Sequence, residues 1–64
     1  DAAYVTGYLL RLQERTATRR IADVRSRLQR ADPADADAFN ALFGELAALE
    51  SHRRHLLDQL AGPA

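Results

Sequence analysis

The side chains in this chain best suited to chemistry are His52, His55 and Asp58, which are spaced three residues apart. On a helix, that spacing places them along one face, and imidazole and carboxylate groups are common metal ligands. However, the chain has no cysteine and no other histidine with which to complete a coordination shell. We therefore interpret these residues as part of a solvated helix face, and we expect no metal and no cofactor.

Other catalytic or ligand-binding patterns are missing from the sequence. It has no Ser/His/Asp or Cys/His arrangement, no glycine-rich phosphate loop and no calcium-loop spacing. Arg11, Arg15 and Arg19 form a basic row at helical spacing that resembles a contact for nucleic-acid phosphates. No aromatic residues alternate with these arginines for base stacking, and the second half of the chain offsets their charge. We expect no enzyme activity and no direct nucleic-acid binding.

The length limits the chain to one small domain. A domain of 64 residues hides only about 60% of its unfolded surface, and without cysteine no disulfide can stabilise it. Because Asp1 leads directly into a helical pattern without a methionine, we expect residues 1–64 to be a fragment of a larger protein. No apolar run approaches the ~18 residues of a membrane span, so no membrane partner is expected. The lack of cysteine fits a cytoplasmic location.

Two helices joined by a short turn are predicted, which makes the fold class an all-α antiparallel two-helix hairpin. The first is predicted at about 2–30, where strong helix formers dominate and Thr16–Thr18 is the weakest stretch. The second is predicted at about 33–61, with Asp32 as N-cap before Pro33. Asp35 and Asp37 are alternative caps, and Gly62 with Pro63 marks the end.

Each predicted helix carries a heptad row with a single charged residue in it. The row in the second half is Phe39, Leu42, Leu46, Leu49, Arg53, Leu56 and Leu60, and the row in the first half is Leu10, Glu14, Ala17, Ile21, Val24 and Leu28. If Leu28 faces Phe39, facing residue numbers sum to 67, and Arg53 then faces Glu14. We therefore predict that the rows pack within one hairpin and that this charged pair sets their register.

The two halves of the chain carry opposite charge. Residues 1–31 contain seven arginines and three carboxylates, whereas residues 32–64 contain two arginines and six carboxylates. The halves therefore carry +4 and −4, which favours their lying side by side.

Some apolar residues lie outside these rows. Near the start they are Tyr4, Val5, Tyr8, Leu9 and Leu12, and on the second helix Phe43 and Leu57 flank the row. A hairpin cannot bury all of these stripes, so part of this surface is expected to meet another partner. The first group is predicted to pack on the rest of a parent protein or on a second copy, and the second copy would make a four-helix arrangement.

Two segments resemble the C-terminal end of bacterial DnaG-type primases, particularly the actinobacterial versions. The segment from Arg20 to Arg30 reads RIADVRSRLQR, and the segment from Phe39 to Leu57 reads FNALFGELAALESHRRHLL. In that family the terminal helical hairpin is non-catalytic and binds the N-terminal domain of the replicative helicase. The resemblance implies that the parent protein is a DNA primase.

The resemblance also implies where the partner binds. The helicase-binding surface would include Phe43, Arg54, Leu57, Asp58 and Leu60. The alternative, from a different functional class, is a structural oligomerisation module that forms a homodimeric bundle.

Overall fold

In a computed structural model, which describes residues 1–62, the chain folds as two packed antiparallel helices. Helix α1 spans Ala2–Arg30 and helix α2 spans Ala36–Ala61, and no strand occurs within these residues. The hairpin measures 51 × 19 × 12 Å. The all-α hairpin is thus confirmed, whereas its dimerisation stays a prediction. The predicted stop at Pro63 lies outside the described residues.

Helix α1 is continuous from Ala2 to Arg30, and its first turn is capped. The carboxylate of Asp1 accepts a hydrogen bond of 2.8 Å from the Tyr4 amide, so Asp1 serves as N-cap. At the β-branched stretch, the Thr16 hydroxyl donates to the Leu12 carbonyl oxygen at 3.1 Å. Arg27 and Arg30 lie in the last turn, where their charge suits the negative end of the helix dipole.

The turn between the helices is longer than predicted, and the expected helix start at Pro33 with Asp32 as N-cap is wrong. The Asp32 carboxylate accepts from the Ala34 amide at 2.9 Å, and its carbonyl oxygen accepts from the Asp35 amide at 3.0 Å. These bonds close a turn over residues 32–35, which delays the helix. The Asp35 carboxylate then accepts from the Ala38 amide at 3.3 Å and caps α2. Asp35 was one of the alternative caps.

The core is the seam between the two predicted rows. Ala17, Ile21, Val24 and Leu56 are buried, and every other member of both rows is at least partly covered. Both helices therefore turn their heptad rows toward each other, as the spacing predicts.

Helix α2 ends at Ala61 and is capped by Gly62, which has a φ of 78° and whose amide donates to the Gln59 carbonyl oxygen at 3.2 Å. A positive φ of this size favours glycine. Neither helix is long and apolar enough to cross a membrane within residues 1–62.

Candidate protein interaction site

A hydrogen-bonded cluster of three side chains lies in the middle of the seam. The Nε of Arg53 donates to Glu14 Oε1 and to Thr18 Oγ1, both at 3.0 Å. The Thr18 hydroxyl in turn donates to Glu14 Oε1 at 2.8 Å. The structure thus brings Glu14 and Arg53 together, in the register whose facing numbers sum to 67. That the pair sets this register stays a prediction.

Thr18 is the member of this cluster that the sequence analysis missed. It lies four residues after Glu14, so its side chain is on the same side of α1. That spacing is the signal that could have found it. By bonding both charged partners, the hydroxyl satisfies part of their hydrogen-bonding capacity at a partly covered site.

These hydrogen bonds lower the pKa of the Glu14 carboxyl below its usual value of 4.5. The bond from Thr18 is the largest cause, followed by the bond from Arg53. Partial burial opposes the effect, while the positive charges of Arg53 and Arg15 add to it. The carboxylate is therefore ionised at neutral pH and interacts with Arg53 as an anion.

A second ion pair also joins the oppositely charged halves of the chain. Arg25 Nη2 lies 3.5 Å from Glu50 Oε1, and both side chains are well exposed. Within α1, Arg27 Nε lies 3.2 Å from Asp23 Oδ2. Exposed pairs of this kind contribute at most about 1 kcal/mol each, so they support the seam without determining it.

One exposed apolar surface lies near the start of α1. We call it the far face, and it comprises Tyr4, Val5, Tyr8, Leu9 and Leu12. At about 100° per residue, these side chains are on the side of α1 opposite to the seam. All five are exposed, with Tyr4 at 72%. Helix α2 leaves this surface uncovered.

The predicted helicase-binding residues divide into two places on α2. Arg54, Leu57 and Asp58 are exposed near its end, and Leu60 is partly covered by the seam. Phe43 is 50% exposed but lies fourteen residues before Leu57, about 21 Å along the helix axis. Its ring packs edge-on against Phe39, with 5.0 Å between the ring centroids. The structure therefore separates Phe43 from the other four residues.

The histidine row is divided between two clefts. His52 lines a cleft with Leu49 and Arg20, whereas His55 and Asp58 line a different cleft. Within residues 1–62, no group of three histidine, aspartate or glutamate side chains is placed to bind a metal ion.

Comparison with known proteins shows where this hairpin belongs. Over 60 residues, or 92% of its length, it is 50% identical to the DNA primases of Mycolicibacterium smegmatis, Mycobacterium tuberculosis and Mycobacterium leprae. The chain is homologous to part of a DNA primase. The predicted resemblance to primases is thus confirmed.

The homology covers a small part of these primases. The chain spans 9% of the length of the curated relatives that it matches. No protein-family model matches the chain, and no solved structure matches it.

The contact between Glu14 and Arg53 generates a prediction about stability. Arg53→Glu should lower the melting temperature measured by circular dichroism, because two carboxylates would then face each other across the seam. Adding Glu14→Arg should restore part of the loss, since opposite charges meet again with their positions exchanged. A double variant no more stable than the single one would contradict a role for this pair in the register.

The lowered pKa of Glu14 gives a prediction about pH. The folded chain binds fewer protons at this carboxyl than the unfolded chain, so its stabilising effect is present above about pH 4.5 and is lost below it. When the pH is lowered from 6 to 3, the melting temperature of Glu14→Gln should therefore fall less than that of the wild type. Glu45→Gln, on the exposed side of α2, serves as control and should follow the wild type. Identical pH profiles for all three proteins would refute the assignment.

Proposed function

We propose that this hairpin is a non-catalytic docking element that attaches a bacterial DNA primase to the replicative helicase. The observation that carries the proposal is the 50% identity to mycobacterial DNA primases over 92% of the chain. The partner would be the helicase N-terminal domain, and the hairpin would be the C-terminal end of the primase. Such a role in the primosome belongs to the cytoplasm and needs no cofactor, no membrane and no direct nucleic-acid contact.

The end of α2 offers a suitable binding surface for the helicase. Leu57 is a large apolar side chain that the seam leaves 39% exposed, and Arg54 and Asp58 stand exposed beside it. An apolar anchor framed by charges is the usual composition of a contact between helical surfaces. Leu60 lies at the edge of the same region, whereas Phe43 would need a contact that extends along most of α2.

The far face has a different part in this proposal. Its five apolar residues point away from α2, so they can pack on the preceding part of the primase without competing with the helicase. The hairpin would then have two outward surfaces, one for its own protein and one for its partner.

The second candidate function is a structural module that makes a homodimer. The exposed apolar far face favours it, because two copies could bury these stripes against each other in a four-helix arrangement. In this alternative the far face is the functional surface, and the end of α2 has no partner.

Leu57→Asp tests the docking proposal. We expect it to weaken binding to the helicase N-terminal domain at least tenfold by isothermal titration calorimetry, because a charge replaces the apolar anchor. Leu12→Asp is a matched control, since Leu12 is 42% exposed and lies on the far face. Circular dichroism should show that both variants remain helical, because neither side chain is buried.

Two results would count against this assignment. Undiminished binding by Leu57→Asp would place the helicase contact elsewhere on the hairpin. Equal loss of binding in Leu57→Asp and Leu12→Asp would indicate that any added charge disturbs the fold.

The two candidate functions make different predictions about oligomeric state. Under the docking proposal, sedimentation of the chain joined to its preceding primase segment should show a monomer, because that segment covers the far face. Under the alternative, the dimer should persist in the longer protein, and Leu9→Asp should dissociate it. A persistent dimer would overturn the assignment of the far face to intramolecular packing.

A further inference from the structure

An open groove of about 430 Å³ lies between the two helices, on the side of the seam that includes Arg54. It is lined by Thr18, Ile21, Ala22 and Arg25 from α1 and by Glu50, Arg53 and Arg54 from α2. We call it the arginine groove. No functional residue was predicted there apart from Arg53 and Arg54, because it arises only when the helices pack.

The charges of the arginine groove do not balance. Arg53 is bonded to Glu14 at 3.0 Å, and Arg25 is paired with Glu50. The second pair is long, at 3.5 Å, so it engages Arg25 weakly. Arg54 has no ion-pair partner within residues 1–62. The Arg54 guanidinium is therefore available to bind a ligand, and the Arg25 guanidinium is only weakly engaged by Glu50.

Part of the lining of the arginine groove is apolar. Ile21 is only 6% exposed and Ala22 lies one residue further along α1, so neither offers a polar atom from its side chain. This apolar part of the lining can contact the aliphatic stem of a ligand side chain. A carboxylate at the end of a short aliphatic side chain would fit this combination of charge and apolar surface.

We infer that the arginine groove binds an aspartate or glutamate side chain of the protein partner, with Arg54 as its main ligand and Arg25 as the second. The planar guanidinium donates two parallel hydrogen bonds to a carboxylate. The inference rests on the proposed docking function and adds to it the chemistry of the partner's contact.

The surroundings of Arg54 favour a protein carboxylate over nucleic acid. Glu50 lies one turn before Arg54 and Asp58 one turn after it, both on α2. A nucleic-acid strand carries a phosphate at intervals of about 3.4 Å, so its neighbouring phosphates would approach these carboxylates. A single side-chain carboxylate brings only one charge, so it meets less of that repulsion than a run of phosphates does.

Arg54→Gln tests the inference, with the 64-residue chain and the helicase N-terminal domain as binding partners. We expect affinity to fall about tenfold, with a weaker dependence on salt than in the wild type, because one ionic contact is lost. Arg54→Lys should keep an intermediate affinity, since it retains the charge but not the two-pronged geometry.

Arg20→Gln is the matched control for this experiment. This substitution removes the same charge as Arg54→Gln. Arg20, however, lines the cleft on the opposite side of the hairpin, with Leu49 and His52. The affinity of Arg20→Gln for the helicase N-terminal domain should match that of the wild type. Equal losses in Arg54→Gln and Arg20→Gln would show that net charge alone matters, and would overturn the groove assignment.

The outcomes separate this inference from the docking proposal. If the wild type does not bind the helicase domain, the docking proposal fails. If the wild type binds and Arg54→Gln binds equally well, only the groove assignment fails. Binding of single-stranded DNA that Arg54→Gln abolishes, with helicase affinity unchanged, would assign the groove to nucleic acid and would overturn the inference.

Discussion

Burial of the two heptad rows against each other is the interaction on which every other feature of this molecule depends. Within the described part of the chain the helices share one interface, in which Ala17, Ile21, Val24 and Leu56 are the buried residues. No second layer packs behind either helix within residues 1–62, so each side chain is either in the seam, at its edge or on an outer surface. The arginine groove and the far face both follow from this, because the seam determines which side of each helix remains outward.

The charged cluster in the seam is the contact that we predict to specify the register, although it stabilises the hairpin only weakly. An ion pair that is partly removed from water contributes little net energy, because desolvation offsets the attraction. A misaligned seam would instead place Arg53 or Glu14 against an apolar side chain with no partner, which is costly. Thr18 contributes a second acceptor for Arg53 across the seam, and its bond to Glu14 lies within α1. The geometry of the adjacent arginine groove depends on the same register, because both helices line it.

The spacing of apolar residues was sufficient to predict the helices, the seam and the facing of Glu14 and Arg53, because heptad periodicity directly encodes which side is buried. The start of α2 was wrong because three aspartates compete as caps near Pro33, and their local hydrogen bonds decide among them. The Arg53–Thr18 and Arg25–Glu50 contacts depend on how side chains reach across the seam, which a one-dimensional pattern does not contain. Phe43 was grouped with Leu57 because both flank the heptad row of α2, but the two residues lie far apart along the helix.

The far face also gives this protein a built-in spectroscopic reporter. Tyr4 and Tyr8 are the chain's two tyrosines, and it has no tryptophan. Both tyrosines lie on the far face, while the phenylalanines lie on α2 and absorb weakly at the wavelengths that excite tyrosine. Intrinsic fluorescence therefore reads one surface of the molecule selectively. A ligand that covers the far face will change the tyrosine emission, and one that binds at the arginine groove will leave it nearly unchanged. For a ligand without tyrosine or tryptophan, the fluorescence therefore distinguishes the two binding sites.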